Sequence, residues 1–258
     1  MSFLRKLLLP FLIVIVLTSC AGPHAMRTPD GTVISIRESP ANGHILSNIR
    51  QAVYHDVAPG ETLWRICQMY GVDIELITEI NRISNVRDLD IGRRLYIPDA
   101  APRKDVITLY PNKNKKWRYV VIHHSATDMG NSMNFNNAHL KRGWQGVGYH
   151  FIIDNGTCGK DDGQIETSPR WIKQMDGAHC LASGMNERGI GICLVGNFSK
   201  DKVSDAQMAS LVQLVNELCK FYNIPRKRIF GHGKVPGAST ECPGTQFPWK
   251  DFWTRLGR

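Results

Sequence analysis

Acidic residues are in short supply in this chain of 258: 23 Asp and Glu face 32 Lys and Arg, a formal net charge of +9. Such a surplus attracts anionic partners, which include nucleic acid, acidic membrane surfaces and cell-wall polymers. A run long enough to cross a bilayer is also missing from the N-terminus. The apolar stretch over residues 7–17, interrupted by Pro10, would rise roughly 16 Å as a helix, against about 30 Å of hydrocarbon. Strong compositional bias is absent too. With 42% hydrophobic and 21% charged residues, the chain is neither wholly disordered, nor collagen-like, nor a multi-pass membrane protein. Its length suffices for one large domain or two smaller ones with real cores.

What is present begins with an address. Arg5 and Lys6 precede the apolar stretch, giving the charged n-region and short h-region of an export signal. The stretch ends in Leu17-Thr18-Ser19-Cys20, which resembles the bacterial lipobox, where small residues lead into a cysteine that is cleaved before and acylated. The resemblance implies a signal peptide over residues 1–19, lipidation of Cys20 and a membrane attachment through it. Ala21, in place of an aspartate that would retain the protein in an inner membrane, favours an outer-membrane address in the cell envelope, facing periplasm or surface. The leader holds only two basic residues and no acidic one, so the basic excess belongs to the exported part. Nucleic acid is then no partner; envelope polymers, phospholipid headgroups and wall-peptide carboxylates are. Residues 20–52 carry Gly22-Pro23, Pro29, Asp30-Gly31, Pro40 and Asn42-Gly43, which predicts a tether. Val33, Ile34 and Ile36 leave room in it for local order.

Residues 53–98 predict a small strand–helix–helix–strand unit. Residues 53–57 read as a strand closed by the turn Pro59-Gly60. Leu63, Ile66, Cys67 and Tyr70 recur at i, i+3, i+4 and i+7, an amphipathic helix that Thr62 is placed to cap. Gly71 ends it, and Asp73 opens a second helix with Ile74, Ile77 and Ile80 along one face. Residues 95–98 close the unit as a strand. The stretch YHDVAPGETLWRI over residues 54–66, then Asn81, then IGRRLYIP over residues 91–98, resembles a LysM domain. That family binds the N-acetylglucosamine of peptidoglycan or chitin in a shallow groove between the first strand–helix loop and the second helix–strand loop. The resemblance implies that Gly60, Glu61, Thr62 and Asn81 line the groove, with Glu61 where the family commonly has Asp. Residues 99–116, with Pro102, Pro111 and the run NKNKK over residues 112–116, predict a solvated linker.

From residue 117 to 258 strands and helices alternate. Residues 119–122, 147–153, 190–195 and 228–230 read as strands. Between Val203 and Pro225 lies the clearest helix, with a Ser204/Gln207 capping box and one apolar stripe of Met208, Leu211, Val212, Val215, Leu218, Cys219 and Tyr222. The class is α/β, a mixed central sheet flanked by helices beside a small βααβ domain. His123 and His124 stand at the end of the first of these strands, His232 at the end of the fourth, and Cys242 in a loop ten residues further on. Two imidazoles and a thiolate at strand ends are three good zinc ligands, and a three-ligand site keeps a position open for water. Neighbouring side chains on a strand point to opposite faces, so only one of His123 and His124 can serve.

VIHHSAT over residues 121–127, HLKRGW over 139–144, VGYHFII over 147–153, Gly177-Ala178-His179, Asn186, GIGI over 189–192, Gly231-His232 and TECPG over 240–244 occur in that order. Together they resemble the zinc N-acetylmuramoyl-L-alanine amidases, the family of phage amidases and peptidoglycan-recognition proteins. The resemblance implies Zn2+ on His123, His232 and Cys242. It implies catalytic roles for Tyr149, facing the metal, and Thr240, beside the oxyanion, with His179 near the cleft as a substrate contact or a structural residue. His150 then points away from the metal. Thr240 stands where phage members carry a lysine, and its hydroxyl is a poor general acid; the zinc-bound water's own proton, Glu241 and Glu166 are the alternative sources of the proton. The implied reaction is hydrolysis of the amide joining N-acetylmuramic acid to L-alanine in peptidoglycan. The competing readings are a non-catalytic sensor of muropeptides and an amidase of soluble anhydro-muropeptides. Five cysteines remain beside Cys20 and Cys242; any disulfide is expected between Cys158 and Cys180. No feature fixes an oligomeric state, and a monomer is the expectation.

Overall fold

The computed structural model describes residues 24–39 and 49–257. The expected signal peptide, Cys20 and the parts of the expected tether at residues 20–23 and 40–48 lie outside the described residues. The chain begins with an antiparallel hairpin of β1 (His24–Arg27) and β2 (Val33–Glu38). The small unit follows as β3 (Gln51–Asp56), α1 (Leu63–Tyr70), α2 (Ile74–Ile80) and β4 (Arg94–Ala100), with β3 and β4 antiparallel. Its caps are those the sequence predicts. Thr62 accepts from the Arg65 N–H, Gly71 ends α1 in the left-handed region, and Asp73 accepts from the Glu75 and Leu76 N–H groups.

The segments expected to be tether and linker are instead joined to each other. β5 (Lys104–Leu109) pairs antiparallel with β2 over six positions, which completes a three-stranded sheet β1-β2-β5. Alternation explains its position. Val106, Ile34 and Ile36 face the core of the small unit, with Leu63, Ile66, Ile77, Leu95 and Ile97. Ile107, Leu109 and Val33 face the large core of the C-terminal domain. One sheet therefore has an apolar residue set on each face, and each set seals a different core. Polar ties reinforce the joint. Arg65 of α1, almost wholly buried, reaches Thr167 Oγ1 at 2.5 Å and also bonds Val106 O. Arg37 of β2 meets Glu217 at 2.7 Å.

The C-terminal domain comprises β6 (Tyr119–His124), α3 (Ser132–Lys141), β7 (Phe151–Asn155), β8 (Asp162–Thr167), α4 (Pro169–Ile172), α5 (Met185–Arg188), β9 (Gly189–Leu194), α6 (Asp205–Tyr222), β10 (Ile229–Gly231) and α7 (Trp249–Leu256). Its sheet runs β10-β6-β9-β7-β8; the first four strands are parallel and β8 is antiparallel to β7. This is the predicted mixed α/β class. α6 has its capping box and buries Met208, Leu211, Leu214, Val215, Leu218 and Tyr222 against Phe151, Ile153, Ile190 and Ile192. Two features differ from expectation. The strand read over residues 147–153 pairs only from Phe151, because Val147 and Gly148 turn their backbone to Arg170 and His139. Cys158 and Cys180 are both free: Cys158 is exposed between β7 and β8, and Cys180 is buried beside Ala182. That places them on different loops and corrects the expected bridge.

Candidate metal centre

Parallel strands gather their C-terminal ends at one edge of a sheet, where α/β proteins hold their ligands. β6 ends there in His123 and His124, β10 runs into His232, and the loop after it returns with Cys242. The ligand atoms of His123, His232 and Cys242 all lie within 4.8 Å of one another. Cys242 Sγ stands 3.6 Å from His123 Nδ1, and the two imidazole rings are 4.7 Å apart. His124 turns to the other face. Its Nδ1 accepts from the Phe198 N–H, while its own backbone N–H reaches Cys242 Sγ at 3.4 Å.

A histidine pair fixes which atom of His123 is offered. His179 Nε2 lies 3.2 Å from the Gly189 carbonyl and can only donate there. Its Nδ1 is then an acceptor, and it takes the proton of His123 Nε2 at 3.1 Å. The lone pair of His123 is thus left on Nδ1, the nitrogen beside Cys242 and His232. Burial, reinforced by His179 and His232, holds His123 well below the usual imidazole range. Burial likewise brings His179 down to about 4. The neutral rings this pattern requires are therefore the ones present at neutral pH. Burial also pushes the Cys242 thiol up to about 12. A thiol in that state yields its proton only to a strong local positive charge, which a divalent metal supplies.

The slot that holds His179 is made of two glycines. A Cβ on Gly177 or Gly191 would lie 2.3 or 2.4 Å from the His179 ring. Asn186 pins the same loop, its Oδ1 accepting from the N–H groups of His179 and Cys180 at 2.8 Å each. Among the residues anticipated from sequence, His179 is accordingly committed on both nitrogens, although its edge lines a cleft. Gly177, Gly191 and Asn186 lie in stretches that the sequence singles out, yet no role was read for them.

Tyr149 lies beside the centre, its ring tilted against that of His123 with centroids 5.2 Å apart. Burial raises this phenol well above its usual range, so it remains a donor. His150, the next residue, points away: its Nδ1 accepts from the Gly191 N–H and its ring edge meets Trp117. Thr240 is exposed, with Oγ1 3.2 Å from the Cys242 N–H. Glu241 is exposed, whereas Glu166 is buried and held by the Ser132 N–H and Lys160. A cleft of about 640 Å³ opens over His179 and His232, walled by Trp144, Arg170, Asn186 and Leu181.

The groove residues of the small unit have a different fate. The Glu61 carboxylate is taken by His55 Nε2 at 2.8 Å and the Ala58 N–H at 2.7 Å. Burial opposes its ionisation, but the His55 ring pulls it down to about 2. Thr62 caps α1, and Asn81 is bonded to Ile77 and to both backbone groups of Tyr96. A Cβ on Gly60 would come within 2.7 Å of Ile172 in α4. The structure does not bring these four to the metal centre, and Glu61, Thr62 and Asn81 hydrogen-bond within the small unit.

Comparison with known proteins gives the following. The sequence profile described as N-acetylmuramoyl-L-alanine amidase matches residues 113–245, and that of the LysM domain matches residues 55–98. Peptidoglycan-recognition protein SC2 of Drosophila melanogaster is 30% identical over 146 residues, 53% of this chain and 72% of that protein. The endolysin of Escherichia phage T7 is 33% identical over 144 residues, 53% of this chain and 85% of that protein. Among solved structures, the N-acetylmuramoyl-L-alanine amidase LysC from Clostridium intestinale URNW is 34% identical with a TM-score of 0.47, over 55% of this chain and 86% of that one.

Proposed function

The chain belongs to the N-acetylmuramoyl-L-alanine amidase family and carries a LysM domain, and from that premise we propose that it is a zinc hydrolase of peptidoglycan. The bond cut is the amide between N-acetylmuramic acid and L-alanine. The observation that carries the reading is the convergence of His123, His232 and Cys242 beneath an open cleft.

Zinc fits this donor set. With Zn–N near 2.0–2.1 Å and Zn–S near 2.3 Å, tetrahedral angles require about 3.6 Å between nitrogen and sulfur. His123 Nδ1 and Cys242 Sγ are 3.6 Å apart. Bound there, the ion would supply an acidified water and a Lewis acid for the scissile carbonyl. The protein's own groups do the rest. His179 holds His123 in the ligating tautomer, and the backbone N–H of His124 steadies the thiolate. Tyr149 keeps a proton on its hydroxyl at neutral pH and offers it to the oxygen that gains charge. Trp144 and Leu181 give the cleft exposed apolar walls against which a substrate can pack. Glu166 is tied up with Lys160 and Ser132, so Glu241 is the better candidate for protonating the leaving amine, while the Thr240 hydroxyl can only donate a hydrogen bond to the oxyanion.

Metal content and bond cleavage test this together. Purified protein is expected to hold one zinc per chain and to free the L-alanine amino ends of stem peptides in isolated sacculi, with both lost in His232→Ala. Stoichiometric zinc without release would instead make the protein a sensor. The lipobox-like sequence at Cys20 supports an envelope location with a lipid anchor; mass spectrometry of the mature N-terminus should find a diacylglyceryl cysteine there.

A further inference from the structure

The metal centre occupies the edge of the sheet where its parallel strands end; the opposite edge, where they begin, is basic. Arg118, Arg188 and Arg228 immediately precede β6, β9 and β10, which are neighbours in the sheet. The registers set the three residues within one position of each other. The Arg118 N–H donates to the Arg188 carbonyl at 2.9 Å, and Arg118 Nε donates to the Lys115 carbonyl at 2.8 Å. Lys113 lies in the same turn as Lys115, and Lys227 stands beside Arg228. Lys113, Lys115, Arg118 and Lys227 are exposed, and Arg188 and Arg228 are half-buried.

Charge on this edge is unbalanced. Among the described residues none of the six forms an ion pair. Of the acids close to them, Asp176 is taken by Lys116 at 2.7 Å, and Glu187 is exposed beside Arg188 without a pairing contact. The guanidinium groups of Arg188 and Arg228 both lie against the Tyr119 ring, 5.2 and 5.4 Å from its centre. Two like charges are thus gathered on one aromatic ring, whose π-face is their partner, and an external anion would relieve their repulsion. Aromatic surface is interleaved with the cations. The Phe230 ring lies 6.1 Å from that of Tyr119, and Arg226 covers the half-buried Trp253 at 5.7 Å. None of the six lines the cleft over His232.

We propose that this edge is a docking surface for an anionic phospholipid bilayer, with the strand starts against the headgroups and the metal centre turned away. A row of unpaired cations outside any cleft suits a planar array of phosphates better than one small anion. Tyr and Trp side chains suit a boundary that is apolar on one side and wet on the other. Five residues of strand separate Arg118 from His123, about 17 Å, which exceeds the Debye length of about 10 Å at 0.1 M salt. The bilayer therefore attracts one edge and leaves the cleft open on the far side. A bilayer is favoured over a soluble polyanion by the lipobox-like sequence. Cys20 stands four residues before the start of β1, at most about 14 Å of chain, so an acyl group there would hold the domain within reach of headgroups. The inference goes beyond the hydrolase reading and takes nothing from it.

The test is co-sedimentation of the full chain with vesicles of phosphatidylcholine alone or with added phosphatidylglycerol. Anionic lipid is expected to tighten binding by about tenfold or more, a gain lost in about 0.5 M salt. The triple variant Lys113→Gln, Lys115→Gln, Lys227→Gln should lose most of that gain. An equal charge change at the far edge, Lys200→Gln, Lys202→Gln, Lys250→Gln, should keep it. Any binding through the apolar leader is common to all these chains and cancels between them, and melting temperatures report whether each folds. On anionic vesicles, backbone hydrogen exchange should slow over residues 113–118 and 226–229 and stay unchanged over 232–244. The idea is overturned if anionic lipid brings no gain, if the far-edge variant loses as much, or if residues 232–244 are the ones protected. It is overturned equally if glycerol phosphate displaces the chain at matched ionic strength, which marks a single-anion site, or if linear polyphosphate binds more tightly than the vesicles. A chain that docks but cuts no sacculi refutes the hydrolase reading alone. One that cuts sacculi and ignores anionic lipid refutes the docking surface alone.

Discussion

At the scale of single residues, the centre is governed by what stands behind its ligands. His179 offers no ligand atom of its own, yet through its hydrogen bond to His123 it dictates which nitrogen His123 presents. Gly191→Ala would place a methyl group 2.4 Å from the His179 ring and push it away from His123. We expect zinc affinity to fall by about 10–100-fold in this variant, the usual cost of losing a group that orients a metal ligand; competition with a chromogenic chelator reads it. Tyr149→Phe should behave in the opposite sense. Its zinc content is expected to stay at one per chain while kcat falls by about 10²-fold or more, as for loss of an oxyanion donor. Steady-state rates on a soluble muropeptide measure that split. The sequence showed these groups unevenly. Strand alternation alone reduced the His123/His124 pair to one ligand, and the structure sends the two side chains to opposite faces. The committed role of His179 was not visible, because its evidence is steric: glycines at 177 and 191 leave room for a ring, and spacing does not say which ring.

Elements repeat the contrast. α6 could be read, apart from the buried Leu214, because one face of it meets one core and its start is a capping box. Ser204→Ala removes the acceptor for the Gln207 N–H and should cost about 1 kcal/mol of stability, measurable as a shift in the urea midpoint. β8 could not be read. Its sequence DGQIET buries polar residues that alternation would assign to solvent, since Gln164 lines a cleft between the two domains and Glu166 lies under α3 bonded to Ser132 and Lys160. β2 and β5 escaped for a related reason. A strand whose two faces meet two different cores shows apolar residues in both registers, as Val33 and Ile34 or Val106 and Ile107 do. Such a segment, beside Pro and Gly, reads as irregular chain.

For the whole molecule, the shared sheet predicts joint unfolding. A LysM unit on a loose linker would melt separately; here a single calorimetric transition is expected, because exposing Val106 and Ile107 opens both cores at once. Acid should weaken that joint structure. His179 has a folded pKa of about 4, and burial holds His150 well below the usual range. Unfolded, each would titrate near 6.5. The unfolded chain therefore binds more protons between those values, so the stability present above about pH 6.5 is lost as pH falls towards 4. Urea midpoints measured across that interval should drop by an amount worth a few kcal/mol, and a flat profile would contradict the buried neutral rings.

The sheet β1-β2-β5 also sets how the two domains explore space. A domain on a leash samples a cloud of positions, and its partner's reach is an average over that cloud. Here β5 is stitched into both cores, so the distance from one domain to the other is a fixed length. Two domains jointed this way act as a caliper: whatever each of them holds is kept at one set separation from the other.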